Sequence, residues 1–244
     1  MTHSLFISDL HLCENTPLTT RLFHHFIMHS APQAEALYIL GDLFEYWAGD
    51  DDLDTPFHRE ITGALASLTR QGTRLYIMRG NRDFLMNSQL AEACNATLLN
   101  DPTVLDLYGT PTLLTHGDAL CTDDTEYQAF RAQVRNNRWQ QQFLALPLAQ
   151  RKAQIEQIRK KSEAEKQNKA SSIMDVNLQA VNELLHEHHY PRIIHGHTHR
   201  PAHHLHRLDG HSCDRWVLAD WDKRANALRC DRNGIAWETI QTEA

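Results

Sequence analysis

The chain has 244 residues, 41% of them hydrophobic, and a net charge of -7; it suits one large domain, or one domain with an insertion, and a disordered chain is excluded. Its longest apolar runs are about strand length, far short of the ~18 residues of a membrane span, and Asp9 and His11 stand where the apolar core of a signal peptide would have to be, so a cytoplasmic protein is expected. Cys13, Cys94, Cys121, Cys213 and Cys230 are odd in number and never spaced C-x-x-C, which argues against a disulfide framework and against a zinc ribbon.

Taken in chain order, short apolar runs of the kind buried in sheets occur at "SLFIS" (Ser4 to Ser8), "ALYIL" (Ala36 to Leu40), "TRLYIM" (Thr73 to Met78), "PTLLT" (Pro111 to Thr115) and "RIIH" (Arg192 to His195). Helices are predicted between several of them. Thr16-Pro17 and Thr55-Pro56 each offer an N-cap with proline at the first helical position, followed at helical spacing by Leu18, Leu22 and Phe26, and by Ile61, Leu65 and Leu68. Glycine is absent from Asp118 to His195, and the stripes Tyr127, Phe130, Val134 and Ile173, Val176, Val181, Leu184, Leu185 predict several helices in succession. The expected organisation is a mixed α/β core, residues 1–117 and 176–244, interrupted by a helical insertion at 118–175. Near the end, "WVLADWD", "NALRCD" and "IAWETIQ", with Asn233-Gly234 as a turn, read as antiparallel strands completing a sheet.

Charge is unevenly laid out. Arg131 to Ala170 holds ten basic and three acidic residues, a net +7, which leaves -14 for the rest. A run of this kind is ordinarily a solvated helix face.

Five of the predicted strands stop on a potential metal ligand: "FISDLH" at Asp9 and His11, "YILGDLFE" at Asp42, "YIMRGNRD" at Asn81, "LLTHGD" at His116, and "RIIHGHTH" at His195 and His197. In α/β sheets the carboxyl ends of neighbouring strands converge on one crevice. Two Asp, four His and one Asn, with no thiolate, suit two borderline divalent ions such as manganese, iron or zinc. Taken singly, each has a duller explanation, and His24, His25, His29, His58, His186, His188, His189 and His211 are read as ordinary surface or core side chains.

The series D-x-H, GD, GN, HGD and GHTH resembles the calcineurin-like metallophosphoesterases from Asp9 to His199. The resemblance implies a four-layer αββα sandwich of two mixed sheets, with a dinuclear site at one rim. It allots Asp9, His11, Asp42 and His197 to one ion and Asp42, Asn81, His116 and His195 to the other, with Asp42 bridging and His199 orienting the loop. Two ions so placed activate water and neutralise phosphoryl oxygens; Asn81, Arg82 and His116 are the expected catalytic residues.

At position 82 that family usually has a histidine that protonates the leaving oxygen. Arg82 stands there instead, and a guanidinium cannot deliver a proton near neutrality. An alkoxide leaving group needs an acid, whereas a phosphate monoester, with a second pKa of ~6, leaves as a stable anion. Arg82 therefore points to a pyrophosphate, whose developing charge it would stabilise. "GNRDF", "GDLFEYWAGDD", "HGDALCTDD" and "IMDVN" further resemble one branch of the family, the UDP-2,3-diacylglucosamine pyrophosphohydrolases of lipid A synthesis. That resemblance implies hydrolysis of the UDP-linked lipid to UMP and 2,3-diacylglucosamine 1-phosphate, with Mn2+ as the expected metal. It assigns Asn81, Arg82, Asp124, Tyr127, Arg159, Ser162, Lys166, Lys169 and His195 to the substrate, although Lys166 stands where the branch commonly has asparagine. A cap with Trp139, Phe143, Leu144 and Leu146 beside Arg151, Lys152, Arg159, Lys160 and Lys161 would take the acyl chains and rest on the cytoplasmic face of the inner membrane. A monomer with no nucleic-acid partner is expected. Two competing readings are a hydrolase of the same fold acting on phosphoproteins, cyclic nucleotides or nucleic acid, which would want histidine at 82, and a non-catalytic scaffold, which would have lost ligands.

Overall fold

The computed structural model describes residues 2–166, 173–222 and 224–240. In chain order the elements are β1 (Ser4–Ile7), α1 (Pro17–His29), β2 (Ala36–Leu40), α2 (Pro56–Arg70), β3 (Arg74–Met78), α3 (Ser88–Cys94), β4 (Ala96–Leu99), β5 (Thr103–Leu107), β6 (Thr110–Leu114), α4 (Thr125–Val134), α5 (Asn137–Leu144), α6 (Leu148–Lys166), α7 (Leu178–Glu187), β7 (Arg192–His195), β8 (Ala202–Leu208), β9 (His211–Val217), β10 (Ala225–Asp231) and β11 (Gly234–Ile240). One sheet has the order β11-β10-β1-β2-β3-β4 and the other β5-β6-β7-β9-β8. Strands β1 to β4 are mutually parallel, as are β6, β7 and β9, while β5, β8, β10 and β11 are antiparallel to their neighbours.

Alternation along the strands decides the layers. Successive side chains point to opposite faces, so Leu5, Ile7, Leu37, Ile39, Leu75 and Ile77 cover one face of the first sheet, where Phe23, Phe26, Ile61, Leu65, Leu68 and Leu90 of α1, α2 and α3 meet them. Phe6, Tyr38, Leu40, Met78 and Leu228 cover its other face and meet Leu107, Leu114 and Ile194 of the second sheet and Leu218 just beyond β9. Leu113, Ile193 and Cys213 on the far face of that sheet bury Val181 and Leu185 of α7. Helix, sheet, sheet, helix is the αββα sandwich that the motif series implies.

The structure corrects several local expectations. Thr16 and Thr55 precede their helices, and Pro17 and Pro56 take the first helical positions, but neither hydroxyl caps; Thr16 Oγ1 donates back to the Cys13 carbonyl at 3.0 Å and Thr55 Oγ1 to that of Asp52 at 3.2 Å. Ile173 and Val176 precede α7 instead of belonging to it, because Asn177 caps that helix by accepting from the backbone N–H of Gln179 and Ala180. The three C-terminal runs do not complete one sheet. β10 and β11 extend the first, whereas Trp216 and Val217 end β9 in the second and "LADWD" leaves as a loop.

Candidate metal centre and adjoining cavity

The loops leaving β1, β2, β3, β6 and β7 meet at the rim between the two sheets. Backbone hydrogen bonds stitch them together: Asp9 N to the Gly41 carbonyl at 3.1 Å, His11 N to the Asp42 carbonyl at 3.0 Å, and Gly196 N to the His116 carbonyl at 3.0 Å. Close approach demands glycine at two of these crossings, since a Cβ on Gly80 would strike Asp42 and one on Gly196 would strike Ser8 and Asp9. The backbone is bent hard here as well. Asp9, His11, Asp42, His197 and His199 all have φ between 49° and 68°, a left-handed conformation that costs a non-glycine residue ~1–3 kcal/mol and persists where the surroundings enforce it.

Two groups of donors share Asp42. Asp9 Oδ1 lies 3.3 Å from His199 Nε2, and His199 Nε2 lies 3.4 Å from His11 Nε2. On the other side, Asn81 Oδ1 is 2.9 Å from His116 Nε2 and 2.8 Å from His197 Nδ1. Asp42 Oδ2 is 3.8 Å from both His11 Nε2 and His116 Nε2. Donor atoms of Asp9, His11 and His199 lie within 4.8 Å of one another, as do those of Asp9, Asp42 and His116. Asp9 Oδ1 is buried and accepts no hydrogen bond, a costly arrangement for a carboxylate unless a cation completes it. Two carboxylates, four imidazoles and an amide oxygen facing one small space fit a pair of divalent ions.

His195 does not belong to this cluster. It is the last residue of β7 and shares the parity of Ile193, so it points to the outer face of the second sheet, away from the rim. Both ring nitrogens are engaged: Nε2 accepts from Arg215 Nη1 at 3.0 Å, and Nδ1 donates to the Gly196 carbonyl at 2.9 Å. Burial and the neighbouring Arg215 hold its pKa down at about 3. No lone pair remains for a metal, and His199, expected only to orient the loop, occupies the place instead.

Charges around the cluster are strongly biased. Burial would depress His116, but Asp42, Asp118 and Asp9 raise it to about 9, while burial and His116 push His197 down to about 4. Burial would raise Asp9, yet the neighbouring imidazoles of His199, His116 and His11 hold it well below the usual carboxylate range.

Supporting residues that the sequence reading passed over hold these loops. The Asp83 carboxylate accepts from the backbone N–H of Gly80 at 2.7 Å and of Leu43 at 2.8 Å, tying the β3 loop to the β2 loop. Asp118 Oδ2 accepts from the Tyr127 hydroxyl at 2.7 Å and from Arg131 Nε at 2.8 Å, and Arg135 donates to the Gly80 carbonyl at 2.9 Å. Helix α4 is thereby latched to the loops that carry His116 and Asn81. Both aspartates sit inside quoted motifs, so "GNRD" and "HGD" held the signal, but their partners lie far away in sequence.

A cavity of about 660 Å³ opens from the cluster. Asn81, Arg82, Asp124, Tyr127, Arg159, Ser162, His197 and His199 line it together with Phe84, Phe130, Trp139, Phe143, Ile155, Ile158 and Met174. Six of the nine residues assigned to the substrate therefore face one space. His195 does not, the side chain of Lys166 is not among those described, and Lys169 lies outside the described residues. Phe143 is buried in the main core cluster and stacked on Trp139, with ring centroids 4.9 Å apart, while Leu144 and Leu146 pack against that cluster and do not line the cavity.

The basic segment is largely paired internally. Arg151 is buried, with its guanidinium on the Ala48 and Leu146 carbonyls and the Asp51 carboxylate, and Lys152 Nζ is 2.6 Å from buried Asp52. Among the described residues, Arg151, Lys152 and Arg159 contact acidic side chains of the core, and Arg131 and Arg135 contact Asp118 at the start of the insertion, which corrects the expectation that Arg151 and Lys152 offer free cations.

A family model described as calcineurin-like phosphoesterase matches residues 2–201. The UDP-2,3-diacylglucosamine hydrolase of Aromatoleum aromaticum is 57% identical over 231 residues, covering 95% of this chain and 94% of that protein. Those of Chromobacterium violaceum and Aeromonas hydrophila are 50% and 48% identical, covering 94% and 93% of this chain and 95% and 94% of their own lengths. The chain belongs to the calcineurin-like phosphoesterase family, in the branch that these UDP-2,3-diacylglucosamine hydrolases form.

Proposed function

We propose that the protein hydrolyses the pyrophosphate bond of UDP-2,3-diacylglucosamine, giving UMP and 2,3-diacylglucosamine 1-phosphate in lipid A synthesis. The observation that carries this reading is the joining, in one cavity, of a metal-ligand cluster, Arg82 in place of a histidine acid, and an apolar wall. Asp9, His11, Asp42 and His199 would hold one divalent ion and Asp42, Asn81, His116 and His197 the other; Mn2+ is the proposed metal. When bound, the ions supply a nucleophilic water at neutral pH and charge neutralisation at the phosphoryl oxygens.

The chain's own residues do the rest. Arg82 is held at the cavity edge by its backbone N–H, which donates to Asp42 Oδ1 at 2.8 Å, and its guanidinium stabilises charge on the departing phosphate without giving up a proton. Arg159 adds a second guanidinium from α6. The Tyr127 ring stacks against His197, with centroids 5.9 Å apart, and excludes water from that side of the site. Residues 118–175 act as a cap whose Phe130, Trp139, Phe143 and Ile155 receive the acyl chains, with Asp124 and Ser162 beside the sugar and uridine. The protein works as a monomer with no nucleic-acid partner and lies peripherally on the cytoplasmic face of the inner membrane.

The test is Mn2+-dependent release of UMP from UDP-2,3-diacylglucosamine beside hydrolysis of a simple aryl phosphodiester. Rapid UMP release with slow diester turnover is the expected result. Preference for the diester would move the substrate to the alkoxide-leaving class.

A further inference from the structure

The lining of the cavity divides into two sets of contacts. Phe84, Trp139 and Phe143 make the first, an aromatic run with successive ring centroids 6.2 and 4.9 Å apart that continues the main core cluster. The second is polar. Arg200, which directly follows His199 and also lines the cavity, sets its Nη1 on Asp175 Oδ2. Asp175 is a firm anchor, because its Oδ1 accepts from Val176 N at 2.8 Å and the chain just beyond is tied to the loop after His116: Asn177 N donates to the Leu120 carbonyl at 2.8 Å and Asn177 Nδ2 to Asp123 at 2.8 Å. Asp124 and Tyr127 border this side, with Tyr127 N donating to Asp124 Oδ1 at 3.1 Å.

The cations divide in the same way. Arg82 stands two residues before Phe84, Arg159 stands one turn beyond Ile155, and both meet the Glu45 carboxylate, at 3.7 and 2.5 Å. Arg200 is held by a different carboxylate, on the polar side. We propose that Arg200 is a nucleotide-binding residue that grips the phosphate remaining with uridine, while Arg82 and Arg159 serve the phosphate that departs with the diacylated sugar. This rests on the pyrophosphohydrolase reading given above and divides its cations between the two products. Acyl chains on the aromatic run leave the polar set to the nucleotide, and a planar guanidinium matches two phosphate oxygens at once. Anchorage on Asp175 orders that guanidinium beforehand and lowers the cost of ordering it when the nucleotide binds.

The experiment uses the Mn2+-loaded full chain and titrates it calorimetrically with UMP and, separately, with 2,3-diacylglucosamine 1-phosphate. Arg200→Ala is expected to weaken UMP binding by ~10- to 100-fold, the loss of a hydrogen-bonded contact between charged groups, while the lipid product binds nearly as it does to the parent. Arg200→Lys keeps the charge without the fork and should fall between the two. Arg159→Ala should give the reverse pattern, weakening the lipid product more than UMP. Asp175→Asn loosens the anchor and should weaken UMP binding by less than Arg200→Ala does. Equal weakening of both products in Arg200→Ala, with or without loss of Mn2+, would mean that Arg200 only holds the His199 loop and would overturn the proposal, as would parent-like UMP affinity. A parent that releases no UMP from the UDP-linked lipid would sink the substrate reading. In that case UMP binding that Arg200→Ala weakens would still support the contact, and a parent that binds no UMP would overturn it.

Discussion

Asp42 is held from several sides: its backbone N–H reaches Asp83, its Oδ1 accepts from Arg82 N, and its Oδ2 stands 3.8 Å from one imidazole of each donor group. Asp42→Ala should therefore lose at least one ion per chain and nearly all UMP release, while the apolar core keeps the fold; metal content measured beside thermal unfolding checks this. The two histidines flanking His197 should part company in the same assay. His199→Ala is expected to lower metal content at little cost in stability. His195→Ala should keep the metal but lose a buried hydrogen bond from a guanidinium, worth ~1.5–3 kcal/mol, and equal metal loss in both would contradict the reassignment. "HGHTH" alone could not make that distinction: three histidines at spacing two look alike in sequence, and only the parity of β7 and the position of Arg215 separate them. Arg82 carries the chemical prediction at this scale. With no side-chain acid for the leaving group, the rate should rise with pH and then level off, with no falling limb between about pH 6 and 8. Arg82→Lys keeps the charge but loses the planar fork and should still cost activity, Arg82→Ala more. Arg82→His should not rescue the natural substrate. An Arg82→Ala enzyme as fast as the parent would cancel the inference from "GNRD" to a pyrophosphate.

Helices α5 and α6 show how an element can serve packing and a cavity at once. Phe143 belongs to the main core cluster, whereas Trp139 is only half-buried against it, so the two aromatics should not behave alike. Phe143→Ala should cost ~3–5 kcal/mol of stability and depress every activity. Trp139→Ala should weaken use of the diacylated substrate far more than hydrolysis of a soluble diester, because remote binding energy is what it removes; chemical denaturation and the two assays together tell these outcomes apart. At the start of α6, Arg151→Met should strand the Ala48 and Leu146 carbonyls, at ~1–3 kcal/mol for each acceptor left buried and unpaired. The central strands β1, β2, β3, β6 and β7 were legible because they are nearly all apolar. β4, β5 and β8 were not: β4 is only partly buried, β5 alternates around Asp106, and β8 is a solvated edge strand with three histidines, so none presents a continuous run. The motif series could place loops at strand ends, but not the aspartates and arginines that fasten one loop to the next, since those pairings exist only in three dimensions.

Over the whole molecule, a segment of +7 lies against a remainder of -14, and the structure spends much of that opposition internally, on Asp51, Asp52, Glu45, Asp118 and Asp101. A sequence reading that leaves all ten cations free overstates the pull toward an anionic membrane, at ~1 kcal/mol for each basic residue near the surface. Lys160 differs from the clamped residues, because its contact with Glu156 joins two exposed side chains one turn apart, where solvent screens the attraction and the pairing is weak. No helix among the described residues is long and apolar enough to cross a membrane, so the proposed attachment must come from such loosely held cations and from apolar contacts at the cavity mouth, where Ile158 is exposed. Binding should accordingly be weak and salt-dependent. Sedimentation with vesicles containing anionic lipid should recover part of the protein at low ionic strength and very little near 1 M salt, where the Debye length has shrunk to ~3 Å, and neutral vesicles should recover almost none. Absence of binding to anionic vesicles at low salt would remove the peripheral-membrane proposal. Persistence at 1 M salt would mean that apolar insertion, and not charge, holds the protein, and Ile158→Ser should then release it.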